Sequence, residues 1–197
     1  VNPLAQRIHS ALPQTQCTRC GYPDCASYAQ AVAASEAQIN QCPPGGAEGI
    51  ARLAAITGRP VLALSPENGS EGPRFVAVID EAWCIGCTLC LPACPTDAIV
   101  GSNRRMHTVI EPECTGCELC LAVCPVDCIS LENVTGARSG WQAWSQPQAD
   151  QALRRYEVHR SRADLPAEPP EPEDDEASRK RAVIEAALAR SRAQRKA

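Results

Sequence analysis

CIGCTLCLPACP at Cys84–Pro95 and CTGCELCLAVCP at Cys114–Pro125 are one pattern written twice. Both runs read C-x2-C-x2-C-x3-C-P: Cys84, Cys87, Cys90 and Cys94-Pro95, then Cys114, Cys117, Cys120 and Cys124-Pro125. Every cysteine recurs thirty positions after its partner, and the flanks repeat too. Ile79 answers to Val109, and Thr96-Asp97-Ala98-Ile99 to Val126-Asp127-Cys128-Ile129. Three close thiols on a tight loop can wrap one face of a compact metal core, so a fourth ligand must come from elsewhere. Gly86 and Gly116 fall inside the loops, where the missing side chain lets backbone N–H groups approach sulfur. The proline after each fourth cysteine starts a new segment and removes one donor.

This spacing resembles that of a bacterial-type ferredoxin, in which each fourth cysteine serves the other run's [4Fe–4S] cluster. The resemblance implies one cluster on Cys84, Cys87, Cys90 and Cys124, and another on Cys114, Cys117, Cys120 and Cys94. Structural zinc is the plainer alternative. It pairs two C-x2-C hooks, or a hook with histidines, around one tetrahedral ion. The histidines here, His9, His107 and His159, do not fall in ligand spacing. A disulfide scaffold fits less well, since repeated triplets suit a metal core and no secretory signal is visible.

A third cysteine set lies nearer the start: Cys17-x2-Cys20-x4-Cys25, with Cys42 following after sixteen residues. Beside two ferredoxin-type runs, four cysteines without a histidine partner point to a third [4Fe–4S] cluster. Zinc on the same four thiolates is the alternative. Asn2-Pro3 starts a helix with Leu4, Ile8 and Leu12 on one face, ended by Pro13. Gly21-Tyr22-Pro23 turns Cys25 round to the first two cysteines. A helix over about 26–39 carries the chain to Cys42. A shorter one with Ile50, Leu53 and Ile56 ends at Gly58.

The chain has 197 residues, thirteen of them cysteine, but one Phe, one Met, three Trp and three Tyr. Such a sequence builds a small conventional core, so metal ligation supplies much of the folding free energy. No apolar run approaches the length of a spanning helix, and the net charge of −4 names no partner. Reduced thiols place the protein in the cytoplasm, either free or peripheral on the cytoplasmic face of the inner membrane.

The expected class is α+β. A small helical four-cysteine domain over 1–60 and a linker over 61–74 precede a two-cluster ferredoxin-like domain over 75–135. A helical extension follows over 136–164, then an acidic linker and basic tail over 165–197. Strands are expected at Phe75–Ile79, Ile99–Val100, Met106–Ile110 and Ile129–Leu131, each half running strand, cysteine loop, short helix, strand. Ser145-x-x-Gln148 is a capping box that opens the extension's helix, which runs to about Ala163. Trp83, directly before Cys84, is expected to shield the first site from water. Cys128 aligns with Ala98 and reads as a small packing residue rather than a ligand. His107 reads as a hydrogen-bonded structural histidine.

Three stretches together resemble the B subunit of the Rnf ion-translocating electron-transport complex. They are LPQTQCTRCGYPDCASYAQA…NQCPPGG over Leu12–Gly46, VAVIDEAWCIGCTLCLPACPTDAIVGSNRRMHTV over Val76–Val109, and CTGCELCLAVCPVDCISL over Cys114–Leu131. The resemblance implies iron–sulfur at Cys17, Cys20, Cys25 and Cys42 as well. It also implies a relay of single electrons between redox protein partners: the other complex subunits, ferredoxin or a reductase. Members of that family usually begin with an apolar membrane anchor. This chain starts almost at its first cysteine set, so a shortened or soluble form is expected.

No nucleotide-binding Gly-rich loop, flavin signature or catalytic triad is present, so the cysteines act as ligands and no small-molecule substrate is expected. Two other functions fit less of the sequence. One is a non-catalytic electron-input subunit of a different oxidoreductase. The other is a nucleic-acid or partner-binding module, motivated by the basic tail, whose clusters only hold its shape.

Overall fold

The computed structural model describes residues 2–163 and 183–186. Residues up to Arg162 form one compact unit of mixed helix and strand, and 183–186, a single helical turn, belongs to a second. The acidic linker and all of the basic tail except that turn lie outside the described residues.

Asn2 caps helix α1 (Pro3–Ser10) by accepting the Leu4 amide, with Pro3 as its first residue, as the sequence dictates. Helix α2 (Cys25–Ala33) is capped by Asp24, whose carboxylate accepts the Ser27 amide at 2.6 Å. It stops earlier than the expected 26–39, because Ser35 turns left-handed at φ 65°. Beyond that turn, the Tyr28 hydroxyl donates to the Gln38 carbonyl and accepts from the Gln41 amide, holding the chain back against the helix. Helix α3 (Gly46–Thr57) ends on Gly58 at φ 72°, a left-handed cap that glycine adopts without strain. These helices close a core of Ile8, Leu12, Tyr28, Val32, Ile39, Ile50 and Leu53.

The second core is built on paired strands. β1 (Phe75–Ile79) runs antiparallel to β4 (Ile129–Asn133), with Phe75 opposite Asn133 and Ile79 opposite Ile129. β2 (Ile99–Val100) pairs with β3 (Thr108–Val109) in the same sense. β3 is shorter than the expected 106–110, since the Met106 segment turns back to meet the first cysteine loop. Between β1 and β2 a short helix, α4 (Cys90–Ala93), follows that loop. The matching residues of the second half make a hydrogen-bonded turn instead. The thirty-residue repeat extends to backbone angles: Gly86 and Gly116 have φ of 67° and 68°, Thr88 and Glu118 of 66° and 68°, and Asp97 and Asp127 of 50° and 49°.

A short helix α5 (Gly140–Ala143) and the long α6 (Gln146–Ala163) follow. Half of the expected capping box forms: the Ser145 amide donates to Gln148 Oε1 at 2.9 Å, and the Ser145 hydroxyl donates to the same oxygen at 2.8 Å. Trp144 is buried and donates its indole N–H to the Pro13 carbonyl at 2.8 Å. Helix α6 straps both cores. Tyr156 and Arg160 hold Asp24 of the first, at 3.1 and 3.3 Å, while Arg155 donates to the Thr96 and Asp97 carbonyls of the second and pairs with Glu113. Among the described residues no helix is long and apolar enough to cross a membrane.

Candidate metal centres

None of the thirteen cysteines is in a disulfide, and twelve of them gather into three sets. Cys17 and Cys20 sit on a loop whose backbone is left-handed at Gln14, Gln16 and Thr18. Two buried amides hold this loop in place. Gln16 Oε1 accepts the Cys25 amide, Gln16 Nε2 donates to Gln14 Oε1, and Gln14 Nε2 donates to the His9 carbonyl. This chain of bonds links the end of α1 to the start of α2, which carries Cys25. Sequence reasoning passes over both glutamines. Their only signal is two long polar residues between Pro13 and a cysteine pair, a place where a buried amide has backbone groups to satisfy. Cys42 completes the set just before the Pro43–Gly45 turn, where a Cβ on Gly45 would lie 3.4 Å from its sulfur.

Burial first, and then the other thiols of the set, push the Cys25 thiol up to about 12 and raise Cys42 well above its ordinary value. Four thiols are thus close enough to oppose one another's ionisation. A cationic core placed among them would supply the charge that ionises all four.

In the ferredoxin-like part, Cys84, Cys87, Cys90 and Cys124 line one cavity with Ile79, Ile85, His107, Cys128 and Ile129. Cys94, Cys114, Cys117 and Cys120 line a second with Ala77, Ala98, Ile99 and Leu131. The chain therefore brings each triplet together with the fourth cysteine of the other run. Burial and then neighbouring thiols push Cys120 up to about 12, and burial pushes Cys117 up to about 11. Donors point at the sulfurs: the Ala98 amide at Cys94 (3.2 Å), the His107 amide at Cys84 (3.3 Å) and the Ala77 amide at Cys114 (3.5 Å). Such dipoles stabilise thiolate. Arg74 stacks over Trp144 and donates to the Cys114 and Glu111 carbonyls, setting a cation beside the second cavity.

Four cysteines around each cavity, with amide donors aimed at their sulfurs, suit a thiolate-held core such as an iron–sulfur cluster.

Trp83 departs from expectation. It is 69% exposed and does not line the first cavity, because the turn in which its amide bonds the Asp80 carbonyl directs it outward; Ile85 lies against the cavity instead. Three acidic residues near the cysteines are paired rather than free: Glu113 with Arg155, Glu118 with Arg19, and Asp97 with His159 and Arg162. They tie segments together.

A family model described as a 4Fe-4S dicluster domain matches residues 77–131, and one described as a putative Fe-S cluster matches 12–44. Three curated relatives share one description, the B subunit of an ion-translocating oxidoreductase complex. The relative from Azoarcus sp. (strain BH72) is 60% identical over 146 residues, covering 74% of this chain and 79% of its own. The one from Thiobacillus denitrificans is 55% identical over 112 residues, covering 57% and 60%. The one from Pseudomonas aeruginosa (strain LESB58) is 53% identical over 149 residues, covering 74% and 76%.

Proposed function

The chain belongs to the family of B subunits of ion-translocating oxidoreductase complexes, and from that premise we propose that it relays single electrons through three [4Fe–4S] clusters. The proposed ligands are Cys17, Cys20, Cys25 and Cys42; Cys84, Cys87, Cys90 and Cys124; and Cys94, Cys114, Cys117 and Cys120. The observation that carries the reading is the pairing of each cysteine triplet with the other run's fourth cysteine around one cavity. The proposed divisions are a four-cysteine domain over 1–60, a linker over 61–74, a ferredoxin-like domain over 75–135 and a helical extension over 136–164.

When bound, the clusters supply one-electron redox chemistry. The residues of this chain hold them, exclude water and set their potentials. Thiolates fix each position, amide dipoles on sulfur favour the added negative charge, and Arg74 does the same for the second cavity by its cation. Redox partners are the other subunits of such a complex, and the site of action is the cytoplasm or the cytoplasmic face of the membrane. The purified chain should accept about three electrons from a chemical reductant, one per cluster, and should not oxidise NADH by itself. Uptake of a single electron, or NADH oxidation without another subunit, would contradict this.

A further inference from the structure

The two halves of the repeat face different neighbours. Ile85 is 58% exposed, whereas Thr115, thirty positions on, is 5% exposed. Thr115 Oγ1 donates to the carbonyl of Thr15 at 3.0 Å, and Thr15 is equally buried. Thr115 follows Cys114 directly, and Thr15 stands two residues before Cys17. The path from one ligand set to the other is therefore covalent except for this one hydrogen bond. A second tie runs beside it: Arg19, between Cys17 and Cys20, pairs with Glu118, between Cys117 and Cys120, at 2.5 Å. Among the described residues the first half shows no counterpart: the Thr88 hydroxyl donates to the adjacent Cys87 carbonyl.

We propose that the Thr115–Thr15 hydrogen bond is the bridge for single electrons between the N-terminal four-cysteine site and the Cys94/Cys114/Cys117/Cys120 site. The latter is then the middle station of the relay, and the Cys84-side site is its far end. This inference rests on the three-cluster reading above. Each passage oxidises one site by one electron and reduces the other by one; no proton moves and no bond breaks. Tunnelling through a bonded path decays less steeply than across a gap, so the hydroxyl acts by closing the gap. Thr115 is a positioning residue, not a ligand.

The test uses the full chain, purified without oxygen, as wild type, Thr115→Val and Thr115→Ser. A photoexcited deazaflavin injects less than one electron per chain, and freeze-quench EPR follows its redistribution. The N-terminal signal is the one lost in Cys25→Ala. With iron content unchanged, redistribution between that signal and the others should slow several-fold in Thr115→Val and return to the wild-type rate in Thr115→Ser. Equal rates in all three would overturn the proposal. Too little iron in the wild type would instead fault the three-cluster reading.

If Thr115→Val does not load iron, relaxation measurements on the wild type decide. Reducing the N-terminal site should speed relaxation of the Cys114-side signal most. That signal is identified as the one whose midpoint moves in Arg74→Gln. A stronger effect on the Cys84-side signal would overturn the proposed order.

Discussion

His107 Nδ1 lies 3.4 Å from Cys90 Sγ in the buried wall of the first cavity, while its Nε2 has no hydrogen-bond partner among the described residues. As a ligand of the proposed cluster Cys90 would be a thiolate, which only accepts, so Nδ1 would donate and stabilise the negative charge added on reduction. Replacing His107 with alanine should lower the midpoint of the Cys84-side site by about 40 mV, equivalent to about 1 kcal/mol for a one-electron couple. An EPR-monitored redox titration checks this; an unmoved midpoint would remove His107 from the account.

Cys128 Sγ sits 3.5 Å from Cys124 Sγ and lines the same cavity, yet it has no cysteine counterpart in the first half. As a packing residue it is dispensable to ligation. Cys128→Ala should keep the full iron content, and Cys124→Ala should lose about four irons. Equal losses in the two variants would make Cys128 a ligand.

Gly116 shows how the cysteine loops constrain the chain. At φ 68°, a Cβ there would lie 2.4 Å from the Phe75 carbonyl oxygen, a backbone atom that cannot swing aside. Gly116→Ala should cost at least about 2 kcal/mol. Gly136→Ala, also left-handed but with open space around it, should cost about 1 kcal/mol or less. Comparable thermal shifts in the two variants would mean that the close approach is not felt.

Seven non-glycine residues in or beside the cysteine loops are left-handed: Gln14, Gln16, Thr18, Thr88, Asp97, Glu118 and Asp127. At about 1–2 kcal/mol each, they cost about 10 kcal/mol, as much as a whole domain's stability. Metal ligation is the favourable energy large enough to offset this. Stripping the iron should therefore abolish most far-UV circular dichroism, and an apo-protein with its dichroism intact would contradict the argument.

Asp97 supplies a pH-dependent tie to α6. Burial alone would raise its carboxyl, but hydrogen bonds from His159 and Arg162, and their charges, hold it below its ordinary value. A depressed carboxyl stabilises fully above its unfolded pKa, about 3.9, and the contribution fades as pH falls through the folded value. Amide protection in α6 should hold from pH 7 to 5 and begin to drop near pH 4. In Asp97→Asn it should already be weaker at pH 7, by at most about 1 kcal/mol for partly exposed pairs. Equal protection of wild type and variant at pH 7 would dismiss the tie.

The repeat at 84–125 makes the ferredoxin-like part legible, because ligand spacing is a local property that the chain cannot hide. Caps are legible for the same reason: Asn2, Gly58 and the Ser145–Gln148 box each act within a few residues. The rest depends on partners far apart in sequence. Gln14 and Gln16 matter because α1 and α2 converge on them. Arg155, Arg160 and Arg162 read as surface charge until α6 lies across Asp24, Asp97 and Glu113. Trp83 misleads because adjacency to a ligand says nothing about which way a turn points its side chain.

Iron, sulfide and zinc analysis of the anaerobically purified chain, with EPR of its reduced form, tests the central claim most directly. About twelve irons and twelve sulfides per chain are predicted, with three sets of cluster signals. A colourless protein carrying zinc, or one whose iron falls short by a whole cluster, would contradict it.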